Sequence, residues 1–458
     1  MSKSKIFLLN YKVKGIKSLD QEVELSFAPK TITRKFNPSE YNIKGIYGMN
    51  GAGKSGIVFS VRLLKNLLLN ENYLNNPIVQ TTFEKMINKK LGFMNVEAEY
   101  LVENNEMFHR VKYVIRIEKN KDSKYVIKSE ELMYRYASSR TEKMNTVFSV
   151  QDGEIIQLLD NCKSASDLVE EIVDTTKNLL IAASMPALAA RQVLAYGISR
   201  DLHDIEYRIM GSIMIFAMSL HSYLDDSDDY AWYAANEYKE ENIKVLSDYE
   251  GYVDNVLDLN KWRLKILNPN HNMVAKDAFD EFQKDIEKLC GFIKIFKYDL
   301  EEICIEKREN AEYYDCELIM VYNDYRIGAE FESTGIKKLI KLYSYFGKMA
   351  AGDIVFIDEL DSNLHDVYLC ALLEYLVEYG EGQLCFTTHN VGPMDVLKKR
   401  NKSIDFLSID HRIYSWVKSG NYSPSKLYRK GMIEGSPFNI DSMDFIGIFD
   451  MDEEVEDE

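Results

Sequence analysis

The residues Gly48-Met-Asn-Gly51-Ala-Gly53-Lys54-Ser55 constrain this chain more than any other stretch. They read G-x-x-x-x-G-K-S, the phosphate-binding P-loop pattern. Apolar Ile43, Ile46 and Tyr47 come before it. After it, residues 56–69 have the spacing of a good amphipathic helix. Strand, glycine loop and helix are the context this pattern needs. Glycines let successive N–H groups curl around one anion, and a helix N-terminus adds its positive dipole end. Asn50, Gly51, Ala52 and Gly53 are therefore expected to line the phosphates of ATP. Lys54 is expected to reach the β- and γ-phosphates, and the Ser55 hydroxyl to hold Mg²⁺.

Three later stretches complete such a site. Ile354-Val-Phe-Ile-Asp358-Glu359 reads as a buried strand ending in two carboxylates, a Walker B strand. Asp358 is expected to bind Mg²⁺ through its water shell, and Glu359 to polarise the attacking water as general base. Leu384-Cys-Phe-Thr-Thr-His389-Asn390 reads as a second buried strand. His389 at its end is expected to contact the γ-phosphate and order the water. Phe331-Glu-Ser333-Thr334-Gly335 is a short turn opening a helix over 336–348, with Ser333 as a natural N-cap. In this company, Ser333 and Gly335 are candidates to cap a γ-phosphate presented by another subunit.

The remaining pattern divides the chain. Residues 5–28 alternate and read as an antiparallel hairpin. Strands over Asn95–Val102, Met107–Glu118 and Lys124–Met133, joined by polar turns, read as a β-meander, and a further strand over Thr146–Val150 leads into Gln151. From 161 the period turns helical, through Leu168, Ile172, Leu179 and a strongly apolar helix over 203–224. A last helix over about 274–290 closes this block, and strands return at 292–297, 301–307, 313–322 and 325–331. The expected domains are an ATPase lobe over 1–160, a helical insertion over 161–291, the second part of the ATPase over 292–449 and an acidic tail over 450–458.

Composition narrows the partners. A net charge of −17 argues against a chain that coats nucleic acid non-specifically. Lys and Arg between 110 and 143 are expected to form a solvated sheet face, with a DNA-facing or partner-facing patch as the sharper alternative. The six scattered cysteines form no C-x-x-C and read as buried reduced thiols, and the seven histidines include no ligand-spaced pair. No signal peptide is evident, and the longest apolar stretch, Ile209–Leu220, is too short for a bilayer. A cytoplasmic protein with no membrane partner is expected.

Taken together, the P-loop, the Glu332-Ser333-x-Gly335 turn, the Asp358-Glu359 strand, the following Leu360-Asp-Ser-Asn363 and Thr387-Thr-His389-Asn390 resemble an ABC-type ATPase head of the SMC, RecF and OLD kind. The resemblance covers roughly 1–160 and 292–449. It implies an α/β fold, a P-loop sheet with an antiparallel β-meander, and a head-to-head homodimer or higher homo-oligomer. In that dimer two ATP molecules are sandwiched between the loop of one subunit and the Ser333–Gly335 turn of the other. It also implies a Gln near the nucleotide, for which Gln151 is the candidate and Gln80 the rival. Only 69 residues follow His389, too few for the nuclease domain of OLD-type proteins. The chain thus looks like the ATPase subunit of a two-component anti-phage system, AriA-like by size, acting on a separate effector (nuclease or toxin) under a phage-encoded trigger. A RecF-like or SMC-like repair ATPase acting on DNA, and a nucleotide-gated scaffold, are the alternatives.

Overall fold

The computed structural model describes residues 6–29, 31–33, 36–104, 107–137, 143–158, 173–174, 179–190, 205–224, 267–311, 313–417, 422–437 and 448. The chain is mixed α/β. In order it forms β1 (Ile6–Lys14), β2 (Val23–Ser26), β3 (Ile43–Gly48), α1 (Lys54–Leu69), α2 (Pro77–Met86), β4 (Phe93–Asn104), β5 (Met107–Lys119), β6 (Tyr125–Tyr136), β7 (Asn145–Gln151) and β8 (Glu154–Leu158). Then come α3 (Ile205–Ser219), β9 (Leu220–Tyr223), β10 (Asn272–Ala275), α4 (Phe279–Phe296), β11 (Leu300–Glu309), β12 (Tyr313–Tyr322), β13 (Arg326–Gly328), α5 (Thr334–Ala350) and β14 (Ile354–Ile357). The last elements are α6 (Asp366–Tyr379), β15 (Gln383–Thr387), α7 (Gly392–Leu397), β16 (Ile404–Leu407), β17 (Ile413–Ser415) and α8 (Pro424–Arg429).

A six-stranded sheet in the order β17-β16-β3-β15-β14-β9 carries the candidate site. Every pairing in it is parallel except β16 with β17. Both faces are covered, so its strands read as continuous apolar runs. Ile354 and Phe356 of β14 point into one core, while Val355 and Ile357 point into the other. Ile46 and Tyr47 of β3 divide in the same way. The first core lies toward α1, α3 and the meander, and the second toward α5, α6 and α7.

The meander is a seven-stranded antiparallel sheet, β2-β1-β4-β5-β6-β7-β8. Met94, Val96, Ala98 and Tyr100 of β4 enter the core, and Glu97 and Glu99 between them stay on the other face. α1 lies within this same core and buries twelve of its sixteen residues. It is enclosed on more than one side, where its sequence suggested an amphipathic helix with one open face.

Two expectations need correction. Residues 205–224 were expected inside a helical insertion, but they end in a strand. β9 pairs in parallel with β14, placing Leu220 opposite Ile354 and Tyr223 opposite Ile357. The apolar run of α3 continues without a break into β9, so helical periodicity conceals a strand identifiable only by its partner. Residues 292–297 were expected as a strand, but 292–296 complete α4 and Lys297 caps it; the helix buries Phe282, Ile286, Leu289 and Ile293 at spacings of three and four. The boundary at 291 therefore falls inside a helix. α4 packs on a third sheet, β10-β12-β11 with β13 beside β12. The rest of 161–266 apart from 173–174, 179–190 and 205–224, the acidic tail over 450–458 and Cys162 lie outside the described residues. The other five cysteines are free, and no described helix is long and apolar enough to cross a membrane.

Candidate functional site

Parallel register brings the ends of five strands to one edge of the sheet. Gly48 lies opposite Leu407, Ile46 opposite Thr387, and Ile357 opposite both Phe386 and Tyr223. The carboxyl edge of an open α/β sheet is where loops gather to bind ligands. Here it gathers the glycine loop, Asp358–Asn363 and Thr388–Asn390.

The glycine loop is shaped by close approaches. A Cβ on Gly48 would lie 2.5 Å from the Leu407 carbonyl oxygen. Gly53 has φ +102°, and a Cβ there would collide with Leu19. Gly53 also stands at the N-cap of α1 with no side chain to cap it. The first-turn N–H groups of α1 therefore have no side-chain acceptor at that position. Gly51 faces open space and is steadied through its carbonyl by the Ser18 hydroxyl at 3.1 Å. Behind the loop, the Tyr428 ring lies 6.1 Å from Tyr47, and its hydroxyl meets the Gly48 backbone.

Lys54 is buried at the first position of α1. Its ammonium donates to the carbonyls of Gly48 at 2.8 Å and Met49 at 3.0 Å. Loss of hydration lowers its pKa, opposed by the nearby carboxylates of Asp358, Glu359 and Asp361. A buried cation facing three carboxylates at an uncapped helix N-terminus suits a polyanion bound together with a divalent cation. The residues expected to hold ATP and Mg²⁺, from Asn50 to Ser55 with Asp358, fit those groups.

Asp358 is buried at the end of β14 and accepts from the Thr387 hydroxyl at 2.5 Å. The same hydroxyl accepts from the Glu359 N–H at 2.8 Å. Glu359 is half-buried with φ +46°, in the left-handed region that non-glycine residues seldom occupy. His389 is exposed just beyond β15. Partial burial lowers its pKa and the Lys54 charge lowers it further, against Asp361, Glu359 and Asp358. It is thus a neutral imidazole at neutral pH. Asp361 accepts from the N–H groups of His389 at 3.3 Å and Asn390 at 3.1 Å, tying the two strand ends together.

No family model and no curated protein matches this chain.

The structure thus brings Lys54, Asp358, Glu359 and His389 into one charged cluster. Ser333 stands apart from it as the N-cap of α5, exposed, with its hydroxyl accepting from the Ile336 N–H at 3.4 Å. A Cβ on Gly335 would lie 2.5 Å from the Asn363 carbonyl oxygen, so the Ser333–Gly335 turn seats against the segment following Glu359. Gln151 is not brought to the cluster. It ends β7 on the meander sheet, exposed, paired with Ser129 and Glu154. Gln80 is engaged elsewhere, with Leu74 and with both backbone groups of Tyr125. β14 is flanked by β15 on one side and β9 on the other, and residues 225–266, which follow β9, lie outside the described residues.

Sequence reasoning missed three participants. Thr387 was read only as part of a strand, although a polar residue inside a buried strand is a signal in itself. Asp361 stood within the Leu360–Asn363 motif without a role of its own, and Lys338, whose ammonium donates to the Glu359 carbonyl, carried no signal, because both roles depend on partners brought close by the fold.

Proposed function

We propose that this chain is an ABC-type ATPase that binds ATP with Mg²⁺ and hydrolyses it. The observation that carries the reading is the convergence of Lys54, at the uncapped start of α1, with Asp358, Glu359 and His389 from two neighbouring parallel strands. Lys54 and the N–H groups of 50–55 balance the charge of the β- and γ-phosphates. Ser55 and Asp358 hold the cation, and bound Mg²⁺ supplies Lewis-acid polarisation of the phosphoryl oxygens. Glu359 takes a proton from the attacking water. Neutral His389 orients that water through its imidazole.

Ser333 and Gly335 serve the nucleotide of a second copy, which makes the working unit a homo-oligomer. The exposure of Ser333 at the start of α5 supports that reading. Following the resemblance, ATP binding and hydrolysis couple a phage-encoded trigger to a separate effector. Several bases of the meander are paired with acids, which does not favour direct action on DNA. Arg110 pairs with Glu99 at 2.7 Å, Lys112 with Glu97 at 2.8 Å, Lys119 with Glu84 at 2.5 Å, and Lys128 with Asp152. The deciding experiment is ATP hydrolysis by wild type, Lys54→Ala and Glu359→Gln. Wild-type turnover in Lys54→Ala rejects the assignment. Co-purification with a neighbouring gene product tests the effector.

A further inference from the structure

We propose that Thr387 and Lys338 are positioning residues that lock the backbone of Glu359 in its left-handed conformation. This inference rests on the assignment of Glu359 as general base. A residue at φ +46° without the freedom of glycine persists only where its surroundings over-determine it. At Glu359 both flanking peptide groups are held. The N–H of the preceding peptide donates to the Thr387 hydroxyl at 2.8 Å. In the following peptide, the Leu360 N–H donates to the Thr387 carbonyl at 3.0 Å. The Glu359 carbonyl of that same peptide accepts from the Lys338 ammonium and from the Ser362 N–H, the latter at 3.0 Å. Rotation about either backbone bond of Glu359 therefore breaks hydrogen bonds in the interior, where lost partners are not replaced by water.

The two residues come from different elements. Thr387 is the last residue of β15, fully buried, and its hydroxyl also holds Asp358. Lys338 lies in the second turn of α5, buried, and its ammonium also donates to the Ser362 hydroxyl. The helix that opens with Ser333 is thus fastened to the carbonyl of the proposed base. The hydrogen bonds of both residues converge on the peptide groups of Glu359, so the lock acts on the rate of the chemical step, which is read separately from nucleotide affinity.

The test is ATP hydrolysis by the full-length chain carrying Thr387→Val, Thr387→Ser or Lys338→Met. Affinity for a fluorescent ATP analogue and amide hydrogen exchange across 358–362 are measured on the same samples. Thr387→Val and Lys338→Met are expected to lower kcat at least about tenfold, leave affinity within about threefold and speed exchange across 358–362. Thr387→Ser, which keeps the hydroxyl, is expected to stay within about threefold of wild type in all three. The proposal is overturned if kcat of both Thr387→Val and Lys338→Met stays within about twofold of wild type, or if affinity falls in step with kcat. Lys54→Ala separates the two possible failures. Full hydrolysis in that variant rejects the ATPase assignment, and exchange then decides the lock alone. Faster exchange in Thr387→Val supports it, and unchanged exchange overturns it.

Discussion

Lys54 keeps its ammonium away from water with two backbone carbonyls as direct partners. That arrangement costs folding energy, because a buried cation is poorly solvated. Lys54→Ala is therefore expected to lose at least about 100-fold in hydrolysis while keeping the wild-type melting temperature or exceeding it. Parallel turnover and thermal melts check both halves of this. Glu359→Gln removes the proposed base and leaves the binding groups in place. It is expected to retain bound ATP after gel filtration, and prompt product release would contradict the role. Glu130 is a buried acid away from the site, held by the Tyr113 hydroxyl at 2.7 Å and the Met185 N–H at 3.0 Å. Burial pushes its pKa up to about 7 despite these donors. Between its unfolded value and about 7, the folded chain holds a proton that the unfolded chain releases. This group therefore withdraws stability as pH rises through that window, by about 3 kcal/mol at the upper end. Urea titrations at pH 5 and pH 8 should show that loss, and Glu130→Gln should flatten it.

At the scale of elements, β14 is a four-residue strand buried on both faces. Phe356 is fully buried, with ring centroids 5.9 Å from Tyr11 and 6.2 Å from Phe27, so it joins the core sheet to the meander. Phe356→Ala is expected to cost about 3–5 kcal/mol in urea unfolding. The elements legible in the sequence were those whose pattern is local. The meander strands alternate cleanly, and the glycine loop, Asp358-Glu359 and Thr388-His389 carry their chemistry in adjacent residues. β9 and the end of α4 were not legible, because short apolar segments satisfy a helix or a strand equally well. Their state was decided by β14 in one case and by packing on the third sheet in the other. The same holds for Gln151, expected near the nucleotide. Its strand belongs to the meander, and local pattern does not say which of two sheets a strand joins. The buried pair of Lys44 with Asp405, at 2.6 Å, also escaped notice, since its members come from β3 and β16.

For the whole molecule, the exposed Ser333 turn and the open side of the loop at Gly51 are the surfaces a second copy is proposed to join. Ser333→Arg is expected to leave ATP affinity of the single chain within about threefold and to prevent nucleotide-dependent assembly. Light scattering with ATP in the Glu359→Gln background measures it, and unchanged assembly would remove the shared-site claim. The core sheet also has a bearing on biosynthesis. β3 is flanked by β15 and β16, which begin at Gln383 and Ile404. A ribosome adding about 5–20 residues per second needs roughly 20–70 s between making the P-loop strand and making its first neighbour. Through that interval β3 has neither hydrogen-bonded flank, and parallel pairing over so long a separation is slow to form. The meander strands can pair with one another as they are made, whereas the nucleotide site depends on strands made more than 300 residues after the P-loop. Nascent chains arrested before Gln383 should therefore carry an ordered meander beside a P-loop strand still open to proteolysis.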